Sequence, residues 1–411
     1  MSSIVSRTLS CGAQLVHEHI PAAGSVAVRI MVPVGGASDP VGAVGRAAML
    51  SEYVFRGAGE LDSRGLSEAL DRCGVDRSCT AGAHRMVFGA TMLASQFENG
   101  MDLVLDMVRR PTMPDDALEP VRRLCLQAID GMEDDPQHLV MLRLRERANP
   151  APFDRHGYGD ADDIAGMSAS DLRDAWAERC VPEGAIISVA GGVAVEHVEA
   201  RLEAWLRGWS GAASEPDVSA EALRGVRHIE QESAQVHLAV AWDAPPEGSP
   251  DAILERLSNA VLSGSTSGRL FSEVRAKRSL CYSVGASYAA GRDRGLVSLY
   301  AGTTPERAQE TLDVCIGEIH RMSEGITDDE FRRAVIGLKS RVVMQGESTP
   351  ARASALASDQ FRLGRPRSLE EVMAAIDAVD LDRLQAYVAE RTPGPFTVVS
   401  IGPRPVTPPS G

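Results

Sequence analysis

Aromatic residues are only 4% of this 411-residue chain, too few for a row of rings on which nucleic-acid bases could stack. Basic residues are also scarce, 42 Lys and Arg against 57 Asp and Glu, for a formal net charge of −15. A surface of that sign disfavours nucleic acid and anionic membranes as partners, and is compatible with cationic substrates or with simple solubility. No stretch reaches the ~18 consecutive apolar residues that a membrane-spanning helix needs. The opening stretch as far as Ala13 lacks a basic start followed by an apolar run, so no secretory signal is expected. The cysteines (Cys11, Cys73, Cys79, Cys125, Cys180, Cys281 and Cys315) are odd in number, scattered and never spaced C-x-x-C. That usage points to buried thiols in a reducing compartment, hence to a cytoplasmic protein.

What is present suits a soluble globular protein: 44% apolar and 24% charged residues, on a chain long enough for two or three domains. An internal repeat organises it. Asp171–Arg179 followed by Ile186–Gly191 reads as an amphipathic helix, a Pro/Gly turn and a buried strand closed by glycine, and Asp380–Leu384 followed by Phe396–Gly402 repeats it. Met113-Pro114-Asp115-Asp116 matches Ile326-Thr327-Asp328-Asp329 as a capped helix start, and Met86–Leu93 mirrors Leu296–Gly302 as a strand before a helix. The small-residue stretch Gly208–Asp217 reads as a linker. The expectation is an α+β protein of two homologous domains, each an antiparallel-rich sheet covered by helices: 1–207, a linker 208–226, and 227–411.

The helix Gly45-Arg46-Ala47-Ala48-Met49-Leu50-Ser51-Glu52-Tyr53-Val54-Phe55-Arg56-Gly57 contains no histidine. In its setting it resembles the zinc helix of the pitrilysin, insulinase and mitochondrial processing peptidase family, which carries H-x-x-E-H ahead of a Phe-x-Gly turn. Two imidazoles at i and i+4 share a helical face and can grip one metal. Anchored on Phe55-Arg56-Gly57, the resemblance places Ala48 and Glu52 at the ligand positions and Ser51 at the general base. Shifted by one, it places Met49 and Tyr53 at the ligands and Glu52 at the base. The family's third ligand is a Glu on a later helix, and here that position falls on Ala128, or on Gln127 in the shifted register, upstream of Glu133-Asp134-Asp135-Pro136. The resemblance implies that this chain binds no metal in that way and does not hydrolyse peptides by itself.

The second half holds Ser263-Gly264-Ser265-Thr266-Ser267-Gly268-Arg269-Leu270-Phe271-Ser272-Glu273-Val274-Arg275, continuing to Leu280-Cys281-Tyr282. It resembles the family segment in which an Arg and a Tyr seven residues apart reach the zinc site, bind the substrate carbonyl oxygen and steady the tetrahedral intermediate. Arg275 and Tyr282 occupy those positions. The alternative is an Arg on a solvated charged helix with Lys277 and Arg278, and a Tyr on a strand edge. Ser263, Gly264 and Gly268 belong to a loop that some members use to handle substrate, or to a plain turn. The resemblance, which spans Leu15 to Gly402, implies a non-catalytic subunit of a two-chain zinc metalloendopeptidase. An H-x-x-E-H homologue then brings the zinc as heterodimer partner, and this chain closes the chamber over peptide substrates. A purely structural or peptide-binding scaffold is the alternative implied by the same family. A third option is a self-sufficient hydrolase with ligands relocated to Glu52, His17 and His19. His17-Glu18-His19 is expected on an edge strand without a third partner, and His84 and His237 are expected to be structural or surface residues.

Overall fold

Alternating apolar residues in both halves of the chain build two mixed sheets of matching strand order. The structure, a computed structural model, describes residues 3–391 and 393–409; Thr392, which falls in the second copy of the repeat, lies outside the described residues. The first sheet runs Ser3–Thr8, Gln14–His19, Ile186–Gly191, Ser25–Val32, Met86–Leu93, Asp76–Ala81. The second runs Val226–Glu230, Thr397–Gly402, Val236–Ala244, Gly295–Thr303, Cys281–Ala290. With Ser3–Thr8 set aside, the two orders coincide, and so do the directions. Gln14–His19 with Ile186–Gly191, and Val226–Glu230 with Thr397–Gly402, are the parallel pairs, while the remaining neighbours are antiparallel. The strands Ile186–Gly191 and Thr397–Gly402 are buried at every position, which is why they are mostly apolar, with only the small polar residues Ser188, Thr397 and Ser400 interspersed. The fold is the expected α+β one, with helices covering the sheets.

Each sheet belongs to a separate unit, and neither unit is contiguous in sequence. The first takes the chain up to Gly131 together with Ala151–Ser219 and Gln345–Arg367; the second takes Met132–Pro150, Ala220–Met344 and Ser368 onward. The main change of unit, between Ser219 and Ala220, lies inside the 208–226 stretch read as a linker. The two excursions come from an exchange of helices. Helix Thr349–Leu363 sets Ala353, Leu356 and Ala357 against Val16, Ala27, Ile186 and Ala190 of the first sheet. Helix Pro136–Ala148 sets Val140, Leu144 and Ala148 against Ala239, Ala241, Val399 and Ile401 of the second. Periodicity shows that a helix has an apolar face but carries no label for the sheet that covers it, so contiguous halves were the natural expectation. Among the described residues, no helix is long and apolar enough to cross a membrane.

Candidate functional site

The helix that resembles a zinc helix spans Arg46–Tyr53. Gly45 precedes it at φ 108°, where a Cβ would stand 2.9 Å from the Cα of Gly159, so only glycine fits this close approach. The carboxylate of Asp39 accepts from Gly45 N at 3.0 Å and Ala47 N at 3.2 Å, covering free N–H groups of the first turn. Burial outweighs these bonds and pushes the Asp39 carboxyl up to about 6 from 3.8. The folded chain therefore holds this proton more tightly than the unfolded chain. The stability linked to it is fully present below pH 3.8 and is lost as pH rises to about 6. Asp39→Asn should flatten that part of the pH–stability curve, measured by urea unfolding across this range.

Of the positions on this face, only Glu52 carries a group that zinc binds, and a single carboxylate does not make a site. Ala48 is a methyl group, and the Ser51 hydroxyl donates to Ala48 O at 2.7 Å. Glu52 is exposed, and Ala128 on helix Leu118–Glu133 is exposed and apolar. Cys79 and Cys125 feel the Glu52 charge, but burial is the larger influence; it pushes Cys125 up to about 11 and Cys79 further, so both stay neutral thiols. The small pocket beside Ala48 is lined by Arg155, whose guanidinium donates to Gly36 O and Asp39 O and opposes a cation there. Among the described residues, no three His, Cys, Asp or Glu side chains come together as a metal site. The residues present do not fit the zinc that the family helix would carry.

His17 and Glu18 are not on an edge. Strand Gln14–His19 is paired on both sides, and both side chains are buried. The His17 ring bonds through Nε2 to Val193 O at 2.8 Å, and burial lowers its pKa. Glu18 is paired with Arg352 Nε at 2.7 Å, with side chains only 3% and 4% exposed. Glu18, which stands between the two histidines that looked like a metal pair, thus anchors the exchanged helix. His84 lies against Phe153 and Phe361, and His237 Nδ1 bonds the Tyr300 hydroxyl at 2.9 Å.

In the second unit, a π-helical turn, Phe271–Lys277, leads through Ser279 (φ 52°) into strand Cys281–Ala290. Lys277 and Arg278 both pair with Glu273, at 2.6 and 2.7 Å. Arg275 has no carboxylate partner among the described residues. Its guanidinium instead lies 4.9 Å from the ring centroid of Phe271 and 5.3 Å from that of Tyr282, within cation–π range. Pairing with the neighbouring strand steps from Cys281–Thr303 to Ser283–Gly302, so Tyr282 is the extra residue of a bulge and is 83% exposed. The structure therefore brings Arg275 and Tyr282 together, with both residues exposed. Phe271 was not singled out in the sequence, although its spacing, four residues before Arg275, puts it on the same helical face.

The loop holding Ser263, Gly264 and Gly268 borders two clefts. One, of about 50 Å³, lies against helix Asp328–Gly346, and the other, of about 400 Å³, lies against strand Cys281–Ala290. The profile described as the insulinase family, peptidase family M16, matches residues 14–156, and that of the peptidase M16 inactive domain matches 166–338. This chain belongs to peptidase family M16. The M16 chain is 24% identical to an uncharacterised zinc protease of Bacillus subtilis over 96% of its length and 97% of the relative's. It is 26% identical to an uncharacterised zinc protease of Mycobacterium tuberculosis, over 96% and 92%. Among solved structures, a peptidase M16 inactive domain from Pseudomonas fluorescens superposes with a TM-score of 0.88 at 22% identity, covering 99% of this chain and 100% of the other. A protease from Helicobacter pylori gives 0.88 at 17% identity, covering 98% and 100%. These likenesses fix the M16 fold.

Proposed function

We propose that this M16 chain is the non-catalytic subunit of a cytoplasmic, two-chain zinc metalloendopeptidase. In this reading a homologue bearing H-x-x-E-H holds the zinc and pairs with this chain as a heterodimer. This chain closes the chamber over a peptide and presents Arg275 and Tyr282 to it. The observation that carries the reading is the contrast between the two units: Ala48, Ser51 and Ala128 can hold no metal, whereas Arg275 lies against two rings and has no carboxylate partner among the described residues. A guanidinium offers several N–H donors and a phenol one directed O–H, so the pair can receive a substrate carbonyl oxygen and the oxyanion that forms from it. Stacking on Phe271 limits the guanidinium's freedom before substrate arrives, which favours donors already aimed at the developing charge.

The test measures peptide cleavage by this chain with added zinc, by an H-x-x-E-H homologue, and by the two mixed. Activity confined to the mixture supports the reading, and full activity from this chain with zinc alone refutes it.

A further inference from the structure

The cleft of about 400 Å³ beside the Arg275–Tyr282 stack has the size of a small-ligand pocket. Its floor is the sheet face where Gly285 and Ser287 stand opposite Tyr300 and Ser298. The loop Ser263–Thr266 forms one wall, with Met141 and Phe271 completing the lining. Phe271 belongs to both features, since it lines the cleft and carries the Arg275 guanidinium on its ring. No Asp, Glu, Lys or Arg lines this cleft, in a chain where such residues are 24% of the whole.

Its polar side-chain groups are hydroxyls, and several are already engaged. The Ser263 hydroxyl accepts from Ala286 N at 2.7 Å, Ser265 and Ser267 bond each other at 2.8 Å, and Tyr300 bonds His237. A Cβ on Gly302 would stand 2.7 Å from the Tyr300 hydroxyl, so this glycine leaves room for that hydroxyl to reach His237. Ser287, Ser298 and Thr266 have hydroxyls without a protein partner among the described residues.

We infer that this cleft receives one uncharged side chain, apolar or hydroxyl-bearing, of the peptide whose backbone Arg275 and Tyr282 hold. The inference rests on the role proposed above for that pair. A Lys or Glu side chain entering here would shed water and find no opposite charge, which is costly. An apolar side chain would bury its surface against Met141, Phe271 and Tyr300, and a hydroxyl would find Ser287 or Ser298. The net charge of −15 attracts cationic peptides at long range, so selection against charge at one position is a property of this cleft and not of the overall field.

The test uses the full chain without its partner and four fluorescein-labelled peptides that differ only in a central Leu, Ser, Lys or Glu. Anisotropy titrations should show the Leu and Ser peptides binding about tenfold or more tighter than the Lys and Glu peptides. Ser287 is exposed, so Ser287→Asp should fold normally and should improve the Lys peptide relative to the Leu peptide by a similar factor. Ser298→Asp is the companion variant. Equal affinities, no binding of any peptide, or indifference to both substitutions overturns the inference. The mixed-subunit turnover assay is read separately. Arg275-dependent turnover with four equal affinities sinks the subsite alone. Clear discrimination with turnover indifferent to Arg275 sinks the division of labour and leaves the cleft standing.

Discussion

Arg275→Ala should lower kcat of the mixed two-subunit enzyme about 10²- to 10³-fold, the cost of removing one donor aimed at an oxyanion. Assembly of the two chains, followed by size-exclusion chromatography, should be unchanged, because Arg275 is exposed and its loss leaves no buried charge behind. Arg275→Lys should recover only part of the rate, since an ammonium lacks the planar set of donors and stacks less well on Phe271 and Tyr282. Tyr282→Phe keeps the ring that flanks the guanidinium and removes only the hydroxyl, so its effect on kcat should be the smaller of the two. A purely structural subunit gives the opposite pattern: both substitutions leave turnover intact, and any effect appears in assembly. The split between kcat and complex formation therefore separates the two readings.

Arg352→Ala should destabilise the first unit by about 3–5 kcal/mol, the penalty for stranding the partner of a buried ion pair. Glu18 and Arg352 are both buried, so water cannot replace the missing partner without opening the contact between strand and helix. The same helix is held by Ser188 Oγ donating to Ala353 O at 2.6 Å and by Arg29 Nε donating to Ser354 Oγ at 2.8 Å. The loss should therefore show as earlier unfolding of the whole first unit rather than simple fraying. Trp176, Trp205 and Trp209 lie in that unit and Trp242 in the other, so a urea titration followed by tryptophan fluorescence reports mainly on it. The double variant Glu18→Leu, Arg352→Met should recover much of the loss, because it removes both charges and leaves apolar volume. A cost below about 1 kcal/mol for Arg352→Ala would mean that the pair behaves as a solvated one.

The repeat was readable because it is written in local chemistry. A helix start at Asp115 and Asp328, and a buried strand closed by Gly191 and Gly402, each declare themselves within about ten residues. That Arg275 stands on a helical turn and Tyr282 at the entry to a strand was readable for the same reason. Their stacking on each other needed coordinates, because it depends on the π-helical turn and on the bulge at Tyr282. Contacts between distant parts of the chain left no such mark. Glu18 and Arg352 are 334 positions apart, and nothing near either announces the other. His17-Glu18-His19 therefore looked like polar residues on an edge, when a second strand and an exchanged helix bury it. The cleft was missed in the same way. Met141, Ser287, Ser298 and Tyr300 come from three separate elements and meet only once the helix Pro136–Ala148 crosses to the second sheet.

The most direct measurement of the central claim is the zinc content of each chain after the active mixture is separated under conditions that retain the metal. The account expects one zinc per pair, all of it on the H-x-x-E-H subunit, and a background level on this chain. A full equivalent of tightly held zinc on this chain, lost on Glu52→Ala, would contradict it.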